Sequence, residues 1–204
     1  MTGHAHGHGH AHESEGPIEG RNKIIALLIA VLALFLAFSE TLGKSAQTTA
    51  ISHNVEAANL WAFFQAKNIR RTTVLTAAEA MKATSGSLDA GSRDLAAKQI
   101  EAWQQAAARY RSEPKKGPHG EELGEGTEEL MKRARAAEEK RDTAMARYHH
   151  YELASAAFQV GIVLASATVI TGMLALSYIA GALGVAGLVL MAIGLLAPHA
   201  IHLF

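Results

Sequence analysis

The stretch LALFLAFSETLGKSAQ, Leu32 to Gln47, decides the fold. Its first half is as apolar as the interior of a bilayer. Its second half presents Ser39, Glu40, Thr41 and Lys44, with Gly43 as its only helix-weakening residue. The reading is one long helix that leaves a hydrocarbon layer and continues into water. Counting from Ile24 to Gly43 gives about 20 residues, the length that crosses a bilayer core. The first span is therefore placed at 23–43.

Within that span Ala26, Ala30, Ala33 and Ala37 share one helical face, and Glu40 and Lys44 continue the row. Small residues on a single stripe let helices approach closely in lipid. Glu40 and Lys44 stand four residues apart in the favourable order, so an interfacial ion pair is expected. A carboxylate at the edge of a span also raises an ion path as the alternative.

Beyond Gly43 neither proline nor glycine appears until Gly86. Ile51, Val55, Ala58, Ala62 and Ile69 approximate a heptad seam flanked by Leu60, Trp61, Phe63 and Phe64, which predicts an amphipathic helix burying that face. TSGSLDAGSRD supplies a loop near 84–94, a second helix runs from about Leu95 to Arg111, and a Pro- and Gly-rich, flexible loop follows near 113–126. Thr127 reads as an N-cap, with Glu128 and Glu129 in the first turn. Leu130, Ala134, Ala137, Arg141, Ala144, Tyr148, Tyr151 and Ser155 then alternate at four and three residues. That spacing predicts a second long helix that enters the bilayer as the first one left it. Residues 44–153 thus form a soluble helical hairpin, a coiled-coil-like stalk between the first and second spans.

Every Lys and Arg except Arg21 and Lys23 lies between Lys44 and Arg147, and no Asp, Glu, Lys or Arg follows Glu152. Such a tail is not a water-facing surface. It divides into spans at 154–178 and 182–204, with a turn near Gly181. Ala154, Ala157, Gly161, Ala165, Thr168 and Gly172 stripe the first; Gly184, Gly187 and Gly194 supply close-packing positions on the second. Three spans look too few to bury all these stripes, so a homo-oligomer is expected, with contacts through Ala33, Ala37, Gly161 and Ala165. The fold class is all-α with three transmembrane helices.

The N-terminal segment, 1–22, reads as a disordered tail carrying His4, His6, His8, His10 and His12, an alternating tract that chelates divalent transition metals weakly. The apolar run after it is long for a signal peptide and FSETLGK is a poor cleavage site, so a retained span is expected. Basic residues flanking the spans, Lys44, Arg135, Lys140, Arg141 and Arg147 against Arg21 and Lys23, favour a cytoplasmic stalk and an external His tail. With 19 basic and 19 acidic residues, nothing points to nucleic acid. The absence of cysteine removes thiolate chemistry and zinc-thiolate sites. No phosphate loop, nucleophile elbow or dinucleotide fingerprint appears, which argues against an enzyme and against a bound cofactor. Two pairs, His53 with Glu56 and His149 with Glu152, sit at i,i+3 on opposite stalk helices; together they hold enough ligands to clasp a divalent metal between helices, though surface pairs are the simpler reading.

The run from Arg21 through Ala80, above all GKSAQ and NLWAFFQAK, together with the Gly-rich terminal hairpin, resembles the bacterial membrane family known as domain of unknown function 4337. The resemblance covers most of the chain. It implies a bacterial inner-membrane protein with three spans and a soluble helical insert, and transfers no activity, cofactor or catalytic residue. The expected function is a non-enzymatic, self-associating scaffold or assembly protein whose stalk docks itself or a protein partner. The alternative is an ion or metal transport component, with Glu40 near the path and the His tail gathering metal. An enzyme using a stalk metal ranks last.

Overall fold

The computed structural model of this chain describes residues 17–200. Among them are four α-helices: α1 (Pro17–Thr84), α2 (Ala90–Arg111), α3 (Thr127–Thr171) and α4 (Leu174–Leu196), with a 3-10 turn at Ser85–Ser87 and no strand. Helices α1, α3 and α4 are long and apolar enough to cross a membrane by length and composition.

α1 begins earlier than its sequence suggests. Pro17 to Asn22, expected in the tail, are already helical. A proline in the first turn loses no hydrogen bond and has its φ preset for the helix, so Pro17 starts the helix it would break elsewhere. The rest of the tail, with all five of its histidines, lies outside the described residues.

Burial along α1 follows a strict seven-residue repeat. Ile25, Leu32, Ser39, Ala46, His53, Leu60, Lys67 and Val74 form one row; Ile29, Leu36, Gly43, Ala50, Ala57, Phe64, Arg71 and Ala78 form the other, all buried or half-buried. The phase does not change at Gly43. This corrects the expected seam: Ile51, Val55, Ala58, Ala62 and Ile69 lie on the opposite side, with Ile51 58% and Ile69 66% exposed. Along α3 the expected positions are the buried ones. Leu130, Ala134, Ala137, Ala144, Tyr151 and Ser155 are buried, and Arg141 and Tyr148 half-buried.

The chain divides into two compact units. The first comprises 17–43 and 149–200. Here Ile25 packs with Ala165 and Ala180, and Leu32 with Ala154 and Phe158. Phe35 stacks on Phe158 at 6.0 Å, and the Ser39 hydroxyl donates to the Tyr151 carbonyl at 2.9 Å. These pairs run α1 antiparallel to α3. Gly184 abuts Leu32, Gly187 abuts the Phe158 ring, and Gly194 abuts His150 and Tyr151. A side chain at any of the three would collide, so these glycines set how closely α4 packs.

The turn between α3 and α4 falls at Gly172 and Met173, not near Gly181. Gly172 adopts φ +73° and donates its N–H to the Thr168 carbonyl at 2.9 Å, closing α3 in a left-handed cap. Gly181 lies inside α4. Of the two glycines of IAGALG, Gly184 packs closely against Leu32 and Gly181 has open space beside it, so neither marks a turn.

The second unit is Lys44–Tyr148. Its core joins Ala57 and Leu60 to Leu130, Ala134 and Ala137, with Trp61, Phe63 and Phe64 against it. Trp61 Nε1 donates to Glu138 at 2.8 Å, and Arg141 reaches Asn54 at 3.5 Å, so α1 and α3 run antiparallel here too. Arg141 tolerates its place in the row because its guanidinium turns outward onto Asp142 at 2.8 Å.

α2 starts at Ala90, five residues before the expected Leu95, because Asp89 caps it by accepting from the N–H groups of Gly91 and Ser92, both at 3.0 Å. The connection to α3 is held at both ends. Gly117 and Leu123 donate to the Glu121 and Lys115 carbonyls at 2.8 and 2.7 Å. The Gly126 carbonyl accepts from Leu130 N–H at 2.9 Å, so Gly126 occupies the N-cap expected of Thr127. The Thr127 hydroxyl instead donates to the Arg111 carbonyl at 3.2 Å.

Candidate functional site

The first unit separates the residues expected at a membrane interface into two groups. Gly161 and Ala165 are buried inside the chain's own bundle: a Cβ on Gly161 would stand 3.2 Å from Leu32 and 3.3 Å from the Ala180 carbonyl. Two of the three small-residue stripes are thus consumed within one chain, so Gly161 and Ala165, expected at contacts between copies, pack inside the bundle instead. The third is not. Ala26, Ala30, Ala33 and Ala37 are all exposed, on a face that neither α3 nor α4 covers.

Glu40 ends that stripe and is exposed. Its carboxylate accepts from Gln159 Nε2 of α3 at 3.3 Å. Lys44, its expected ion-pair partner, is exposed and belongs to the second unit. Glu40 and Gln159 place one acid and one amide side by side at the surface of the first unit.

Each His/Glu pair stays a pair. His53 Nδ1 lies 3.1 Å from Glu56, and His149 Nδ1 lies 3.9 Å from Glu152. The first pair belongs to the second unit and the other to the first. Among the described residues no group of three or more His, Asp or Glu side chains gathers to hold a metal. The neighbour of His149 is the more constrained histidine. His150 is 1% exposed and donates Nε2–H to the Pro198 carbonyl at 3.1 Å, while its buried Nδ1 makes no hydrogen bond.

The second unit holds a feature the sequence reading missed. Lys67 occupies a core position of α1 and is 8% exposed. Its ammonium lies 5.5 Å from the ring centres of both Phe63 and Tyr110, with Glu113 and Glu125 carboxylates at 3.8 and 3.9 Å. This cage ties α1 to the end of α2 and to the following connection. The signal was available: FFQAK puts a lysine four residues after one aromatic and three after another, so it folds back over a ring.

Nearby, Glu129 is buried, which by itself raises its carboxyl. Hydrogen bonds from the Ser112 hydroxyl at 2.6 Å and Glu113 N–H at 3.2 Å outweigh that and hold it below the usual range. Gly126 permits this approach, since a Cβ there would strike Glu129 and the Ser112 backbone. Asp89 is also held low, chiefly by the Ser92 hydroxyl at 2.6 Å. Both acids serve helix starts.

Two shallow hollows mark the second unit. One, about 380 Å³, lies between α1 and α3 beside Ile51, Asn54, Arg141 and Met145. The other, about 600 Å³, is lined by α1 alone, from Asn68 to Ala80. Both are open, so neither encloses a small ligand.

The family model described as Domain of unknown function (DUF4337) matches residues 21–197. No curated protein and no solved structure matches the chain.

Proposed function

The chain belongs to the DUF4337 family, and from that premise we propose that it is a multi-pass membrane protein acting as a non-enzymatic, self-associating scaffold. The observation that carries the membrane reading is the outside of the first unit. Leu27, Leu34, Phe38, Val163, Ile170, Val185 and Leu196 are each more than half exposed; Ile170 reaches 86%. Leaving such side chains in water costs roughly 1.5–3 kcal/mol each, whereas lipid removes that cost. The lack of any formal charge after Glu152 fits the same environment.

On this reading α1, α3 and α4 are the spans, and Lys44–Tyr148 stands outside the bilayer as a coiled-coil-like helical hairpin. The basic residues beside the spans support a cytoplasmic hairpin, and the family resemblance supports a bacterial inner membrane. Self-association is supported by the exposed alanine stripe, which would meet a neighbouring helix at close range. The test is native mass spectrometry of the full chain extracted with lipid. A defined oligomer that Ala33→Leu dissociates supports the proposal, and a monomer at all concentrations refutes it.

The Glu40–Gln159 contact favours a second reading, a transport component in which copies meet around this polar pair and the His tail gathers metal ions. Purified protein in planar bilayers should then conduct, and Glu40→Gln should change the conductance. Silent bilayers count against it.

A further inference from the structure

The outward face of α1 in the second unit has an unusual composition for a surface left bare. From Ser45 to Thr76, the positions opposite the buried rows carry no charged residue and are all exposed, among them Ile51, Val55, Ala58, Ala62, Gln65 and Ile69. The outward face of α3 in the same unit is the comparison: Lys132, Arg135, Glu139, Lys140 and Asp142 are exposed there. A helix side that faces water is normally charged, and an interface core is depleted of charge. A shallow, open hollow lies along its end nearest Ala80.

We infer that this face is covered by the same face of a second copy, α1 against α1. The inference rests on the scaffold reading and names its contact surface. Three observations select a second copy as occupant. An uncharged strip is complementary to an uncharged strip, and α3's charged face does not offer one. Both copies are anchored in one bilayer with one orientation, so their α1 helices run parallel and the same residues meet at the same height. Finally, the size fits. At 1.5 Å per residue the strip is roughly 48 Å long. With a width near 10 Å it buries about 1,000 Å² over the two copies, the lower bound for a specific interface. In such a two-fold pair Ala58 meets Ala58 and Ala62 meets Ala62, and the Gln65 amides bond to each other.

The chain has no cysteine, so single cysteines report contacts without background. Full-length Ala58→Cys, Ala62→Cys, Ala33→Cys and Glu139→Cys proteins in native membranes are oxidised and read as dimer on denaturing gels. Cross-linking at 58 and 62 but not at 139 is expected. Ala62→Glu and Thr72→Glu, both at exposed positions, should weaken association at least about tenfold by placing like charges opposite each other. Cross-linking at 33 without 58 or 62 leaves the scaffold reading standing and overturns this face. Cross-linking at 139 in preference to 62 also overturns it, and a protein that is monomeric throughout removes both.

Discussion

Replacing Lys67 by methionine keeps the stem of the side chain and removes its ammonium. Two aromatic faces at 5.5 Å lose their cation. At about 0.5–1 kcal/mol each for a cation over a ring, that is roughly 1–2 kcal/mol. The carboxylates of Glu113 and Glu125 are more than half exposed and stand 3.8 and 3.9 Å away, so they rehydrate and add little. Lys67→Met should therefore lower the melting temperature of the second unit by roughly 5–10 °C, given the usual dependence for a domain near 100 residues. Lys67→Ala also loses the buried stem and should cost about 2–4 kcal/mol. Both tryptophans, Trp61 and Trp103, lie in this unit, so tryptophan fluorescence of the full chain in detergent follows it alone. A methionine variant that melts at or above the parent temperature would show that the cage contributes nothing, and the reasoning from its geometry would fail.

Other perturbations test other parts of the structure. Gly187→Ala sets a Cβ 2.7 Å from the Phe158 ring and should destabilise the first unit by about 1–3 kcal/mol. Gly184→Ala meets only the mobile tip of Leu32 at the same distance, and should cost less in denaturant titrations of the detergent-solubilised protein. Trp61→Phe breaks the 2.8 Å bond to Glu138 and should lower stability by about 1–3 kcal/mol in the same assay. Folding lowers the Glu129 carboxyl, so its contribution is complete above its ordinary value of 4.5 and fades as pH falls through the lower folded value. Acid titration of the second unit should show that loss, and Ser112→Ala should move it to higher pH.

The legibility of this fold differs between its two longest helices for a physical reason. α3 declared its buried side because the large residues Leu130, Tyr148 and Tyr151 stand on it, with alanines between. On α1 the order is inverted: the buried rows hold Ala46, Ala50, His53 and Ala57, while Ile51, Val55 and Ile69 face out. Hydrophobicity therefore pointed at the wrong side of α1, and an apolar exposed face is what a second contact surface looks like in sequence. The α3–α4 turn was misplaced because glycine occurs both in left-handed turns and inside helices, and only the backbone separates Gly172, at φ +73°, from Gly181, inside α4. Of the candidate site, the alanine stripe and Glu40 were legible from spacing. Gln159 and His150 were not, because their partners lie 119 and 48 residues away in sequence; of the Lys67 cage only Phe63 is local, and Tyr110, Glu113 and Glu125 are distant in sequence.

Solvent access along α1 tests the membrane placement most directly. Single cysteines are introduced in turn from Leu27 to Ile69 and treated in open membrane sheets with a charged maleimide that cannot enter lipid. Leu27, Leu34 and Phe38, though exposed on the chain, should stay unlabelled, and labelling should begin within a turn of Lys44 and continue at Thr49 and Glu56, which are exposed beside the uncharged strip. Strong labelling at Leu27 and Leu34 would mean that water reaches the apolar face, and the bilayer would not be where this account puts it.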